Sequence, residues 1–148
     1  MELINRLKQY EGTQTYQKSI GYFRNDKFYP YKDSLGYKTV GYGHLITPYE
    51  NFDDGMTPVE AEALLREDIR IARNQYRTLG LNLPKDWEEF MIIMIFQLGL
   101  MGVKRFRKML AALAVQDWKE AIRQAKDSLW YEQTPNRLND MISYISNK

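Results

Sequence analysis

The chain has 148 residues with 21 Lys and Arg against 19 Asp and Glu, and it contains no cysteine. That length supports one good core or two small lobes without a disulfide or a metal to hold them. The missing thiols exclude a disulfide framework, a thiolate metal site and cysteine catalysis, and one histidine makes no histidine-rich metal centre. Any hydrolytic chemistry then falls to carboxylates. The net charge of +2 carries no argument for nucleic acid; residues 1–60 hold seven basic and eight acidic side chains, residues 61–148 fourteen and eleven. A mildly basic second half suits an anionic polymer and a mixed solvated surface alike.

Leu3, Ile4, Leu7 and Tyr10 recur at helical spacing, which predicts a short helix over residues 2–11 with Glu11 at its carboxyl end and Gly12 as its stop. A carboxylate there faces the negative end of the helix dipole, which favours its protonated form. The opening residues enter this helix without a basic head and an apolar core, so no signal peptide is expected. Residues 13–30 are rich in Tyr and Phe, and Gly21 with Arg24-Asn25-Asp26-Lys27 predicts a hairpin of Ile20-Gly21-Tyr22-Phe23 against Phe28-Tyr29. Such aromatics serve to line a cleft or to thicken a core.

Tyr31 to His44 reads as a second hairpin: Tyr37, Thr39, Val40 and Tyr42 are strand formers, and Asp33-Ser34-Leu35-Gly36 is turn chemistry. An aspartate in a turn serves the turn itself as readily as a reaction. Pro48 to Gly55 is a polar loop. Thr57-Pro58-Val59-Glu60 is then a capping box with proline at the first helical position, opening a long helix to about Thr78. Its apolar positions are Ala61, Leu64, Leu65, Ile69 and Ala72, and its charged face is Glu62, Arg66, Asp68, Arg70 and Arg73.

Gly80 and Pro84 interrupt the chain before a helix over Lys85–Gly99 whose middle is apolar all round, the expected buried post of a second lobe. Its Phe90–Phe96 run is too short to span a bilayer, so no membrane insertion is expected. Shorter helices are predicted over Val103–Ala114, Trp118–Lys126 and Arg137–Ser146, with Ser128–Tyr131 and Thr134-Pro135-Asn136 as turns or brief helical pieces. Trp118, Trp130 and Tyr131 look like core. Lys104-Arg105-Phe106-Arg107-Lys108 reads as a solvated face or as a contact for an anionic polymer, which salt-sensitive DNA binding would reveal.

Glu11-Gly12 and Tyr31-x-Asp33-x-x-Gly36-Tyr37-x-Thr39-x-Gly41-x-Gly43-His44-Leu45 resemble, position by position, the catalytic lobe of the lysozymes of tailed bacteriophages. Phe96-Gln97-Leu98-Gly99, Gly102-Val103, Asp117-Trp118 and Ser128 through Arg137 extend the resemblance over nearly the whole chain. The chain departs from the family in the stretch between Glu11 and Asp33, which is more than twice the usual length. It also stops soon after Arg137, where relatives add a further helix, and lower stability is the expected consequence.

The resemblance implies an α+β, predominantly helical fold of two lobes: an N-terminal α/β lobe over residues 1–56 with its insertion at 13–30, a connecting helix over 57–79, and a helical lobe over 80–148. It implies a muramidase that cleaves the β-1,4 bond between N-acetylmuramic acid and N-acetylglucosamine without metal or cofactor. Glu11 would be the general acid and Asp33 the base that activates water, with Thr39 placing that water. Inversion is then expected, since the two carboxyls must leave room for a water molecule. Leu45, Phe96, Gln97, Met109 and Gln124 fall at the family's substrate positions, although Gln124 stands where Asn is usual and Met109 where a small hydroxyl residue is common. Gly43, His44 and Arg137 are supporting: His44 buttresses the hairpin and Arg137 pairs with the catalytic Glu. The expected protein is a monomer made in a host cytoplasm, acting on peptidoglycan in the periplasm with a holin or a virion giving access. An endolysin is the first expectation, a virion-borne entry lysozyme the second, and a peptidoglycan-binding module with little turnover the third.

Overall fold

Leu3 and Leu7 lie four residues apart on one helical face, and both are buried in α1, Leu3–Glu11. Gly12 ends the helix at φ 107°, a conformation glycine adopts without strain, and its N–H closes on the Lys8 carbonyl at 2.9 Å. The structure, a computed structural model, describes residues 1–148 and divides into two units, Met1–Ile69 and Arg70–Lys148.

In the first unit the expected insertion hairpin is present but short, and a helix precedes it that the sequence reading did not contain. Thr13 caps that helix, α2 (Gln14–Ser19), by accepting from the Tyr16 N–H at 3.1 Å. Strands β1 (Phe23–Arg24) and β2 (Lys27–Phe28) then pair antiparallel with Phe23 opposite Phe28, so Ile20 and Tyr29 fall outside the ladder. Asn25 and Asp26 make the turn at φ 52° and 58°. Phe23 and Phe28 are buried, and Phe28 exchanges two backbone hydrogen bonds with Met56, at 2.7 and 2.8 Å. Tyr22 stacks on Tyr31 with ring centroids 5.0 Å apart. At these three rings the insertion packs rather than lines a cleft.

A second sheet follows, of β3 (Tyr31–Lys32), β4 (Lys38–Val40) and β5 (His44–Leu45) in that order. Tyr31 lies opposite Thr39, and Thr39 opposite Leu45. Directly opposed residues share a face, so these three side chains form one row across the sheet. The capping box is realised at the start of α3 (Pro58–Arg77): Glu60 N–H donates to Thr57 Oγ1 at 3.2 Å, and Thr57 donates back to Glu60 Oε1 at 2.8 Å. The boundary between the units falls within this helix. Its charged face is largely engaged, since Glu62 takes both Lys8 and Arg66, and Arg73 reaches Glu88 at 3.4 Å.

The second unit is helical. Helix α4 (Lys85–Lys104) buries Trp87 and Phe90 through Ile95 as expected, but continues past Gly99 across a kink where φ is 75°. Val103 is therefore buried at the tail of α4, and α5 begins later than predicted, at Arg107–Ala114. Helix α6 occupies Trp118–Lys126 as predicted. Of the two stretches expected as turns or brief helical pieces, both are helical: Ser128 caps a short helix, α7 (Leu129–Gln133), and Pro135 opens α8 (Pro135–Ser143). Both follow from capping chemistry, a Ser hydroxyl accepting from Tyr131 N–H at 3.1 Å and a proline at the first helical position. Trp130 is core, and Trp118 stacks on Trp87 at 5.7 Å, whereas Tyr131 is half-buried with its hydroxyl on Asn139. No helix is long and apolar enough to cross a membrane.

Candidate active site

The end of α1 and the β3–β5 sheet with its turns carry six of the predicted site residues, all in the first unit: Glu11, Asp33, Thr39, Gly43, His44 and Leu45. Glu11 is half-buried, and its carboxyl rests against Gly43: a Cβ built there would lie 2.7 to 2.8 Å from Glu11 Cγ, Cδ and Oε2. Only a residue without a side chain admits that approach. The Tyr31 hydroxyl donates to the Glu11 backbone carbonyl at 3.0 Å, tying the helix end to the first strand of the sheet.

Asp33 heads the β3–β4 turn, where its Oδ1 accepts from Leu35 N–H at 2.9 Å and Tyr37 N–H at 2.8 Å. The turn role read from sequence is thus real, and it spends one carboxylate oxygen. Oδ2 takes no part in it. Thr39 is 2% exposed and donates its hydroxyl hydrogen to the Tyr31 carbonyl at 3.1 Å, which leaves the oxygen as an acceptor. Tyr31 links the two carboxyls electrostatically. Its phenol is pushed up to about 12, by burial first and the Glu11 charge next, with Asp33 a smaller contributor. Sequence reading quoted Tyr31 as part of the motif without a role; its register opposite Thr39 is the signal that would have assigned one.

His44 braces the sheet from beneath. Nδ1 lies 2.8 Å from Asp68 Oδ2 and Nε2 3.0 Å from Glu50 Oε1, so the imidazole joins β5 to α3 and to the loop. Burial pulls its pKa down, but the hydrogen bonds and charges of Asp68 and then Glu50 outweigh that and hold it above the ordinary value. Neither partner was foreseen, because 24 residues separate His44 from Asp68 and no local pattern spans such a gap. Leu45, next in the chain, is 55% exposed at the end of the Tyr31-Thr39-Leu45 row.

The remaining predicted residues belong to the second unit. Phe96 and Gln97 are half-buried on α4, and the Gln97 amide accepts from Trp130 Nε1 at 2.8 Å while donating to Thr134 Oγ1 at 3.4 Å. Met109 is fully buried and Gln124 half-buried, and both line a cavity of about 380 Å³ with Arg105, Phe106, Arg107, Lys108, Asp127 and Ser128. Arg137 sits half-buried in the first turn of α8. No group of three or more His, Asp or Glu is arranged to hold a metal ion.

A family model described as phage lysozyme matches residues 23–142. The chain belongs to the phage lysozyme family. It is a glycoside hydrolase of the lysozyme type, with peptidoglycan as substrate class. The chain is 32% identical over 153 residues to "Probable T4-type lysozyme 1" of Dictyostelium discoideum, covering 85% of this chain and 90% of that protein. "Probable T4-type lysozyme 2" of the same organism is 29% identical, with 84% and 89% covered. The pre-baseplate central spike protein Gp5 of Enterobacteria phage T4 is 29% identical over 78% of this chain, a match spanning 24% of that larger protein.

Proposed function

We propose that this lysozyme hydrolyses the β-1,4 bond between N-acetylmuramic acid and N-acetylglucosamine by direct attack of water, with inversion at the anomeric carbon. The supporting observation is the Tyr31 hydroxyl, which donates to the Glu11 backbone carbonyl at 3.0 Å from the strand that leads directly into Asp33. Glu11, seated on Gly43 at the carboxyl end of α1, protonates the departing oxygen. Asp33 activates the water through Oδ2, the oxygen its turn leaves over. Thr39 has already given its hydrogen to the Tyr31 carbonyl, so it orients that water by accepting from it. Such a reaction passes through an oxocarbenium-like state with charge building at the anomeric carbon, where an ionised Asp33 also stabilises it.

Sugar contacts are assigned to Leu45 within the first unit and, within the second, to Phe96, Gln97 and to Met109 and Gln124 at the cavity lined by three exposed cations. The lysozyme acts as an endolysin, made in the host cytoplasm as a monomer and reaching the periplasmic wall through a holin lesion. A second reading is favoured by the likeness to the central spike protein Gp5: the same hydrolase carried in a virion to open the wall on entry. Detection in purified particles separates the two.

Glycan-end analysis on purified sacculi tests the chemistry. Reducing muramic acid of inverted configuration is expected, and clearing of permeabilised Gram-negative cells is lost in Glu11→Gln and Asp33→Asn. An anhydro end, a cut peptide, or binding to the wall without any clearing would overturn the reading.

A further inference from the structure

One polar side chain in the insertion is almost wholly buried. Gln17 of α2 is 1% exposed, and its amide nitrogen donates both hydrogens to backbone carbonyls: Gly12 O at 2.8 Å and Gly41 O at 2.8 Å. Its Oε1 has no hydrogen-bond partner. The amide cannot be reversed, because the turned oxygen would face two carbonyls. A buried acceptor left unsatisfied is a cost that native structures carry rarely.

Where these two bonds end is what makes the cost informative. Gly12 follows Glu11 directly, and Gly41 begins the turn Gly41-Tyr42-Gly43 on which the Glu11 carboxyl is seated. The contacts close a ring: from Glu11 to the Gly12 carbonyl, through the Gln17 amide to the Gly41 carbonyl, along the turn to Gly43, and back to the Glu11 carboxyl. The stem of Gln17 also packs on Gly12, where an added Cβ would stand 3.4 Å from Gln17 Cγ. Together with the Tyr31 hydroxyl on the Glu11 carbonyl, Gln17 gives a donor to each of the two carbonyls at the end of α1. Bare carbonyls there are the negative pole of the helix, directly beside the carboxyl.

We propose that Gln17 is a positioning residue for the catalytic acid: its bidentate amide fixes the distance between the end of α1 and the turn that seats Glu11. The insertion thereby holds the acid in place. This rests on Glu11 being the acid, as set out above. Without the two bonds the helix end and the turn move independently, and a shift of about 1 Å in a catalytic group costs up to about a hundredfold in rate. The uncovered Gly12 carbonyl would also strengthen the field that holds the proton on Glu11.

The experiment compares wild type, Glu11→Gln, Gln17→Met and Gln17→Glu on solubilised wall glycan across pH. Gln17→Met keeps the length and bulk of the side chain and removes the donors. Its kcat is expected to fall tenfold or more with KM unchanged within twofold, and the alkaline limb of its profile to move upward. Gln17→Glu is expected to be as slow at neutral pH and to recover in part in acid, where the protonated carboxyl donates one bond. A Gln17→Met enzyme with wild-type kcat and pH profile overturns the inference, whatever its stability, whereas an active Glu11→Gln enzyme overturns the reading of the acid instead. Should the substitutions prevent folding, NMR of the wild type decides. The Gln17 side-chain amide signals should be protected from exchange and should shift with the Glu11 carboxyl titration; amide signals that exchange freely or ignore that titration refute the assignment.

Discussion

Gly43→Ala isolates how much of the activity depends on the seat of Glu11. The added methyl would stand 2.7 Å from Glu11 Cγ and 2.8 Å from Cδ and Oε2, where carbon atoms ordinarily rest about 3.5 to 4.0 Å apart. The carboxyl must retreat by about 1 Å. A displacement of that size costs roughly a hundredfold in rate, or about 2.7 kcal/mol of the barrier. Gly43 also lies at φ 81°, where a side chain costs about 1 to 2 kcal/mol of stability. For a chain of this length that is a melting temperature lower by roughly 3 to 8 °C. Gly80→Ala supplies the control, since Gly80 has φ 68° with nothing within 4 Å of its added methyl. Both variants should lose comparable stability, measured by thermal unfolding. Only Gly43→Ala should lose kcat, measured on solubilised glycan at a temperature where both are folded. A Gly43→Ala enzyme within threefold of wild type would show that the carboxyl does not work from this seat.

Further outcomes follow from the same contacts. His44 has a raised pKa when folded, so its contribution to stability is fully present below the imidazole's ordinary value of about 6.5 and is lost as pH rises through the folded value. Denaturant unfolding of wild type should therefore weaken over that window relative to His44→Gln, and parallel pH curves would refute the Asp68 and Glu50 contacts. Asp86 accepts from the Ser146 and Asn147 N–H groups at 2.7 and 3.1 Å, and those bonds, with that from Trp87 N–H, outweigh burial and lower its pKa. Asp86→Ala should cost about 1 to 2 kcal/mol at neutral pH, with wild type losing that advantage as pH falls through the folded value, and an unchanged unfolding midpoint would refute it. Arg105, Arg107 and Lys108 are exposed and share the Met109–Gln124 cavity. Replacing all three by Ser should weaken sedimentation with sacculi several-fold at low salt and little at high salt, while loss equal at both would remove the electrostatic account.

The sequence was legible where a residue's job is local. Thr57, Pro58 and Glu60 announce a helix start because the capping bonds run between neighbours, and Asp33 announces its turn for the same reason. Helix α2 was hidden. Gln14–Ser19 is polar throughout and one turn and a half long, so no apolar stripe marks it, and the aromatic residues that follow draw the whole segment toward strand. Helix α7, five residues under a serine cap, is short enough that the sequence left a turn and a brief helix equally open. At the site the types of residue were readable and their partners were not. Glu11, Thr39 and His44 each owe their setting to groups far along the chain, namely Gly43, Tyr31 and Asp68.

The added stretch between Glu11 and Asp33 bonds to both sides of the gap it fills, and its route explains how. Thr13 starts α2 immediately after the glycine that ends α1, and β2 ends at Phe28, whose backbone is held at both N–H and C=O by Met56. The Tyr29 N–H then bonds the Tyr22 carbonyl at 2.9 Å, and Tyr22 stacks on Tyr31. The extra residues therefore close their own hydrogen bonds between Gly12 and Tyr31. A loop that only lengthened the connection would raise the entropy to be lost in bringing Glu11 to the sheet, by a modest amount because closure cost grows slowly with length. A folded segment that also places an amide between the Gly12 and Gly41 carbonyls opposes that cost, since it removes freedom at the junction between the end of α1 and the turn that follows Gly41. Insertion length alone therefore does not decide whether Glu11 stays beside the turn at Gly43. The deciding quantity is whether the inserted residues bond to the elements on both sides of the gap, as Gln17 does here.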